Sequence, residues 1–305
     1  MLFLPYRVDL ELYRLPFITI IICLVCLLVY FNQSRNERLV VETAQATCFY
    51  NGDTNWLMVL GKSMGHNDPE ACLEMMWKIH SADDQKKQIA EFAEQGKHIG
   101  GVTKEYSRQY KAEVIANRYR DFKMRVPVYK TQQLWYEPAS WDVVSMVTAA
   151  FAHGSWPHVI GNLFFFVAFA TTIEVILGPA LFLTVILSLA LGTHAFYSVA
   201  MLGVSEPAPT VGLSGVVMGV MALFTFFLPQ GRIRCFLWAF VFVRRFALPA
   251  WLLVFWYVGW DVYALFTEGE RSNINLIAHV SGAAIGYLLG VLFFRRHWHE
   301  VRHLA

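Results

Sequence analysis

The sequence predicts an all-α membrane protein: six apolar helices in one bundle, with a small, mainly helical extramembrane domain inserted after the first. Three observations lead there. Of 305 residues, 56% are hydrophobic and only 16% charged, where a soluble chain carries about a quarter. The apolar residues gather in runs such as Leu15–Phe31, Val159–Ile176 and Ala180–Met201, each long enough or nearly so to cross about 30 Å of hydrocarbon. The stretch from Asn32 to Asp142 is instead polar, with basic and acidic residues in equal number, the mixture of a folded surface.

Residues 1–31 read as a cytoplasmic N-terminus and first span. Arg7 and Arg14 precede the apolar run, as in a secretory signal. The run lacks a small-x-small cleavage site, however, and continues through Tyr30, Phe31 and Asn32, so a retained span is expected. Residues 32–138 read as the extramembrane domain. There Ser81-Ala82-Asp83-Asp84 resembles a capped helix start and Gly96 its stop. Thr103–Phe122 predicts a further helix, with Tyr106, Tyr110, Val114 and Arg118 along one side. Cys48 and Cys72 either pair in an oxidising compartment or stay free; spacing leaves both open. Residues 139–294 read as the core. Ala139–Ala152, short and interrupted by Asp142, is expected at the interface, followed by spans near 158–177, 180–201, 213–229, 248–266 and 276–294. Residues 295–305 form a basic tail.

Orientation follows from the short basic segments. Arg7 and Arg14, then Arg232, Arg234, Arg244 and Arg245, then Arg295, Arg296 and Arg302 all fall on one side of a six-span chain. Positive-inside bias makes that side cytoplasmic and puts residues 32–138 outside. Spans two, four and six then run outward to inward. His158, Ser214 and His279 come to share one depth, where polar side chains are costly and by default functional. A net charge of +2 gives no reason to expect nucleic-acid binding.

Gly212-Leu213-Ser214-Gly215 opens span four. A serine in a first helical turn has free backbone N–H groups beside it, the material of an oxyanion hole; the motif alone fits a serine N-cap between packing glycines better. In span six, Ala278, Gly282, Gly286 and Gly290 recur every fourth residue, and Gly215 and Gly219 form a shorter stripe on span four. Such stripes let two helices pack backbone to backbone, which would bring His279 within reach of Ser214 as base to nucleophile. The rival is a histidine bonded to a backbone carbonyl. In His153-Gly154-Ser155-Trp156-Pro157-His158-Val159-Ile160-Gly161-Asn162, the pair His158 and Asn162 share a helix face and offer donors to a developing oxyanion. A metal site there lacks further ligands at suitable spacing. His299-Glu300-Val301-Arg302-His303 fits H-E-x-x-H, yet only two residues follow it.

Taken together, H-x4-H-x3-N, then G-L-S-G, then A-H-x2-G at the starts of alternate spans resembles the rhomboid intramembrane proteases, from about Ala139 to Phe294. The resemblance implies a Ser214–His279 dyad without an acidic third member, and an oxyanion hole from His158, Asn162 and the Ser214 N–H, with Gly212 and Leu213 beside it. It implies supporting roles for His153, Glu174 and Met218, and a movable gate formed by span five with the loop Phe266–Asn275. The expected partners are membrane-protein substrates and the lipid bilayer, and no cofactor or metal is expected. Two positions depart from the family: Met218 stands where an aromatic residue commonly stacks on the histidine, and Val144-Ser145 replace a Trp-Arg pair. Asp261 reads as facing protein or water without a catalytic role. The rival functions are an inactive relative that binds membrane clients and, with no internal repeat to favour it, a transporter. Without an Arg- and Ser-rich transit segment, a bacterial plasma membrane is expected.

Overall fold

Helices occupy every expected span, but their lengths differ from expectation at two places. The computed structural model describes residues 2–8, 14–48, 53–82, 84–205, 207–239, 242–267 and 275–301. They fall into two units, Met1–Gln33 with Thr131–Ala305, and Ser34–Lys130. The chain opens with strand β1 (Leu2–Val8) and helix α1 (Phe17–Cys48), which runs for 32 residues instead of stopping near Phe31. No glycine or proline interrupts it after the apolar run, so nothing in the sequence ends the helix there.

The second unit holds α2 (Thr54–Met64), α3 (Pro69–Ser81), α4 (Gln85–Glu94) and α5 (Lys104–Arg125). Each starts on a short oxygen-bearing side chain, Asp53, Asp68, Asp84 or Thr103, that accepts a first-turn backbone N–H. Gly96 follows α4 at φ +80°, and a Cβ there would lie 1.8 Å from the Lys62 carbonyl oxygen, so only glycine fits. Trp56, Leu60, Met75, Met76, Ile79, Ile115 and Phe122 form the core. The fully buried face of α5 is Ser107, Lys111, Ile115, Tyr119 and Phe122, one residue along from the expected stripe, of which Tyr110 and Val114 still pack, partly buried, against this core. Tyr106 is exposed. Arg118 pairs with Asp53 at 2.8 Å, and Lys111 donates to the Gln95 carbonyl at 3.0 Å, which satisfies its buried ammonium. Cys48 and Cys72 form a disulfide across 5.7 Å between Cα atoms, tying the end of α1 to α3.

The first unit continues through α6 (Lys130–Leu134), α7 (Val143–Phe151), α8 (Trp156–Leu177), α9 (Pro179–Ala200), α10 (Ser214–Phe227), β2 (Arg232–Ala239), β3 (Phe242–Pro249), α11 (Ala250–Thr267), α12 (Leu276–Phe293) and α13 (Arg295–Val301). Five of these helices, α1, α8, α9, α11 and α12, are long and apolar enough to cross a membrane. The fourth expected span, α10, has only 14 residues, about 21 Å. From Gly215 to Phe224 every residue of it is buried, so protein encloses its ends, where an exposed helix terminus in lipid would be costly. Pro229 prevents its continuation. The basic segment after α10 is a hairpin in an antiparallel sheet of order β1-β2-β3. Ile233 and Cys235 point inward while Arg232 and Arg234 point out, the period-two alternation of a half-buried strand.

At the start of α1, the Glu174 carboxylate accepts Ile18 N and Thr19 N, both at 2.8 Å, and the Thr19 hydroxyl at 2.7 Å. It therefore closes a helix N-terminus.

Replacing Cys72 with serine should destabilise the second unit by about 3.5 kcal/mol, the loop-entropy value for a closed loop of this size. Pulse proteolysis of the full chain in urea, with and without reductant, measures it; reductant should have the same effect on the native chain and none on the variant.

Candidate active site

The site begins with a contact between backbones. A Cβ on Gly282 would lie 2.1 Å from the Gly215 carbonyl oxygen, and one on Gly286 would lie 2.0 Å from that of Gly219. One on Gly215 would meet the Ala278 carbonyl at 3.1 Å. The two stripes thus interlock at successive turns of α10 and α12, as small-residue seams allow. Gly290 departs from the pattern and packs against the Phe226 ring. Ser214 precedes Gly215 and His279 follows Ala278, so this contact brings nucleophile and base candidates to adjoining turns.

Ser214 is the first helical residue of α10, and Leu213 holds the cap position without a side-chain hydrogen bond. The N-cap reading of Ser214 is therefore corrected, because a residue inside the first turn cannot cap it and the opening N–H groups keep no intrahelical partner. Gly212, at φ +127°, turns the chain into the helix. A Cβ there would lie 2.8 Å from the His158 ring and 3.6 Å from Asn162 Nδ2, so both side chains press on the loop directly before the serine. Asn162 Nδ2 is buried without a hydrogen-bond partner among the described residues.

The loop is held from several sides. Gly212 N donates to Ala149 O at 2.8 Å, and Thr210 exchanges two backbone hydrogen bonds of 2.9 Å with Tyr136. Asn275 donates to Thr210 Oγ1 at 3.1 Å and accepts Ala278 N at 2.9 Å, linking this loop to the start of α12. His153 is fully buried and stacks edge-on to His158 at 5.1 Å between ring centroids. Its backbone is gripped at both ends by Gln33, which accepts His153 N at 3.1 Å and donates to His153 O at 3.3 Å. Burial, with His158 adding to it, pushes the His153 imidazole down to about 4, so the ring is neutral at pH 7. Sequence reasoning missed Gln33, whose only signal is a polar residue ending an apolar run.

His279 Nε2 is buried and has no hydrogen-bond partner among the described residues, while Nδ1 lies 3.0 Å from Asp261 Oδ2 on α11. The carbonyl-bonded alternative for this ring is thereby set aside. Asp261, read from sequence as a bystander, is joined to the histidine. Its signal was the inward stripe of Leu253, Tyr257, Asp261 and Ala264 at helical spacing. Met218 is buried in α10, one turn past Ser214. Glu174 stands 16 residues beyond His158 on α8, about 24 Å away, and takes no part in this cluster. Among the described residues no three His, Cys, Asp or Glu side chains gather as metal ligands do. His303, the side chains of His299 and Glu300, and residues 268–274 of the Phe266–Asn275 loop lie outside the described residues.

These features define a polytopic membrane protein whose short central helix opens on a serine, with histidine and amide side chains around it. The chain belongs to the rhomboid family: the rhomboid domain matches residues 140–296, just over half of it. It is 32% identical to RHOMBOID-like protein 12, mitochondrial, of Arabidopsis thaliana over 155 residues, 46% of this chain and 44% of that protein. It is 29% identical over 196 residues to the presenilin-associated rhomboid-like protein, mitochondrial, of Rattus norvegicus, covering 58% and 49%. It is 24% identical over 151 residues to Rhomboid protein 1, mitochondrial, of Saccharomyces cerevisiae, covering 48% and 41%. The chain spans about half the length of the curated relatives it matches. No solved structure matches it.

Two outcomes are expected of the site's frame. Gly286→Ala should cost about 1–3 kcal/mol, the range for overpacking a close contact, read as a lower thermal midpoint in detergent. His153 binds its proton more weakly folded than unfolded. Its contribution is therefore complete above about pH 6.5 and is lost as pH falls toward 4. The midpoint of the wild type should fall across that window by more than the midpoint of His153→Asn.

Proposed function

We propose that this protein is an intramembrane serine endopeptidase that cleaves transmembrane segments of other membrane proteins. The observation that carries the reading is the buried Nε2 of His279, without a hydrogen-bond partner among the described residues, next to Ala278, whose carbonyl faces Gly215, the residue after Ser214. A lone pair left free in a membrane bundle is costly, and Ser214, on the adjoining helix turn, is the nucleophile that would give it work as a general base.

In this reading Ser214 Oγ bonds to the scissile carbonyl carbon and its proton passes to His279 Nε2. The carbonyl oxygen takes the electron pair and is held by His158, Asn162 and the free N–H groups opening α10. Collapse breaks the C–N bond, and the amine leaves with the proton from Nε2. A water then attacks the Ser214 ester, passing its proton to Nε2, and the second collapse returns that proton to Ser214 and frees the carboxyl product. A substrate helix must unwind locally first, because its own hydrogen bonds shield the peptide bond. The resemblance to the family suggests small residues before the cut and helix-breaking residues after it. Met218, in place of an aromatic residue, would support the histidine less rigidly.

The names of the curated relatives carry a mitochondrial location, whereas the sequence alone suggests a bacterial plasma membrane. The Cys48–Cys72 disulfide supports an oxidising compartment beside the second unit under either assignment.

The full chain, reconstituted in lipid vesicles with a single-span model substrate, should cut it, and Ser214→Ala or His279→Ala should reduce cleavage by about 10³-fold or more. Chelation should leave the rate unchanged. A wild type that only binds the substrate would favour the client-binding reading, and loss on chelation would point to the H-E-x-x-H tail.

A further inference from the structure

The second nitrogen of the His279 ring is also engaged, by an acid on a different helix. We propose that Asp261 is the positioning residue of His279, making the site a Ser214–His279–Asp261 triad; this rests on the protease reading above. A carboxylate only accepts hydrogen bonds, so the 3.0 Å contact between Asp261 Oδ2 and His279 Nδ1 puts the ring proton on Nδ1. Nε2 is left with its lone pair outward, the tautomer a general base needs. The bond also fixes the ring plane. Both side chains are mostly sheltered, 16% and 14% exposed for acid and imidazole, so water does little to loosen it.

The placement of Asp261 fits this use. It lies in the apolar helix α11, on the inward stripe between Tyr257 and Ala264, while its neighbour Trp260 faces outward. A carboxylate in such a helix is expensive unless paired, and its partner among the described residues is the one imidazole nitrogen that the serine does not require. When Nε2 takes the serine proton, the ring becomes a cation with a carboxylate already in contact. The compensating charge is in place before the reaction, with no group left to reorganise.

A rival account makes the same bond a latch. Helix α11 is the least buried of the spanning helices, and a hydrogen bond to α12 would hold it closed. The two accounts differ in sign. If Asp261 positions the base, Asp261→Asn lowers kcat; if it latches the helix, the same change speeds substrate entry.

The test uses the full chain in vesicles with the single-span substrate. Asp261→Asn should lower kcat by about 100-fold or more with KM within about threefold, and with the thermal midpoint of the wild type. Asp261→Glu should recover most of the loss, because it restores the acceptor, and labelling of Ser214 by a fluorophosphonate should follow the same order. The inference is overturned if Asp261→Asn cuts as fast as wild type or faster, or if kcat, KM and stability fall together without rescue by glutamate. Ser214→Ala is measured alongside. If it still cuts, the protease assignment to Ser214 fails; if it is dead while Asp261→Asn is fully active, only the role of Asp261 fails.

Discussion

The approach of α10 to α12 fixes where every other part of the site must stand. In a bilayer, helices gain nothing from leaving water, so they associate through close packing and hydrogen bonds. Gly215 and Gly219 on one side, with Gly282 and Gly286 on the other, remove the side chains that would keep the axes apart. The seam interlocks at two successive turns, which also sets register. A slip of one turn would carry His279 about 5.4 Å along the axis, away from the first turn of α10. Side chains cannot correct such an error, so the seam bears on the geometry of the candidate site as directly as on stability.

The seam explains the shape of the loop before Ser214. A helix beginning inside the bundle exposes several N–H groups to a place with little water, and such groups are normally capped. Here the loop is tied down elsewhere, by Gly212 to Ala149, by Thr210 to Tyr136 and by Asn275 to Thr210. The first amides of α10 therefore need not be used to hold it. Gly212 is required because its φ of +127° and the His158 ring both exclude a side chain. Rigidity is supplied around the site, and hydrogen-bonding capacity is kept inside it. His153 serves the same end, since Gln33 clamps its peptide on both sides while the ring braces His158.

Much of this was legible in the sequence because it is written as periodicity. Apolar runs gave the spans, steps of four gave the seam, and the i, i+4 pair His158 and Asn162 gave one face of α8. What escaped was of two kinds. Lengths went wrong where no stop signal exists, as in α1 beyond Phe31, or where burial allows a short helix, as in α10. Partnerships between distant polar residues escaped because spacing says nothing of them: Gln33 with His153, Glu174 with the start of α1, Asp261 with His279. The disulfide was left open for the same reason. The offset on α5 arose differently, since counting aromatic residues favoured Tyr106, whereas the buried stripe runs through Lys111, whose charge is satisfied by a carbonyl.

Two sheltered carboxylates in apolar helices show how partners separate roles. Glu174 accepts two backbone amides and a hydroxyl. None of these changes protonation, so its charge is committed to the positive end of α1. Asp261 faces an imidazole, a group that gains and loses a proton within one catalytic cycle on the proposed mechanism. The same chemical group, equally costly in a membrane, is a fixed anchor in one place and a responsive charge in the other. The difference lies wholly in whether the partner can titrate. Asp261, which lacks any motif of its own, is for that reason the better clue to chemistry than Glu174, which fits the family pattern.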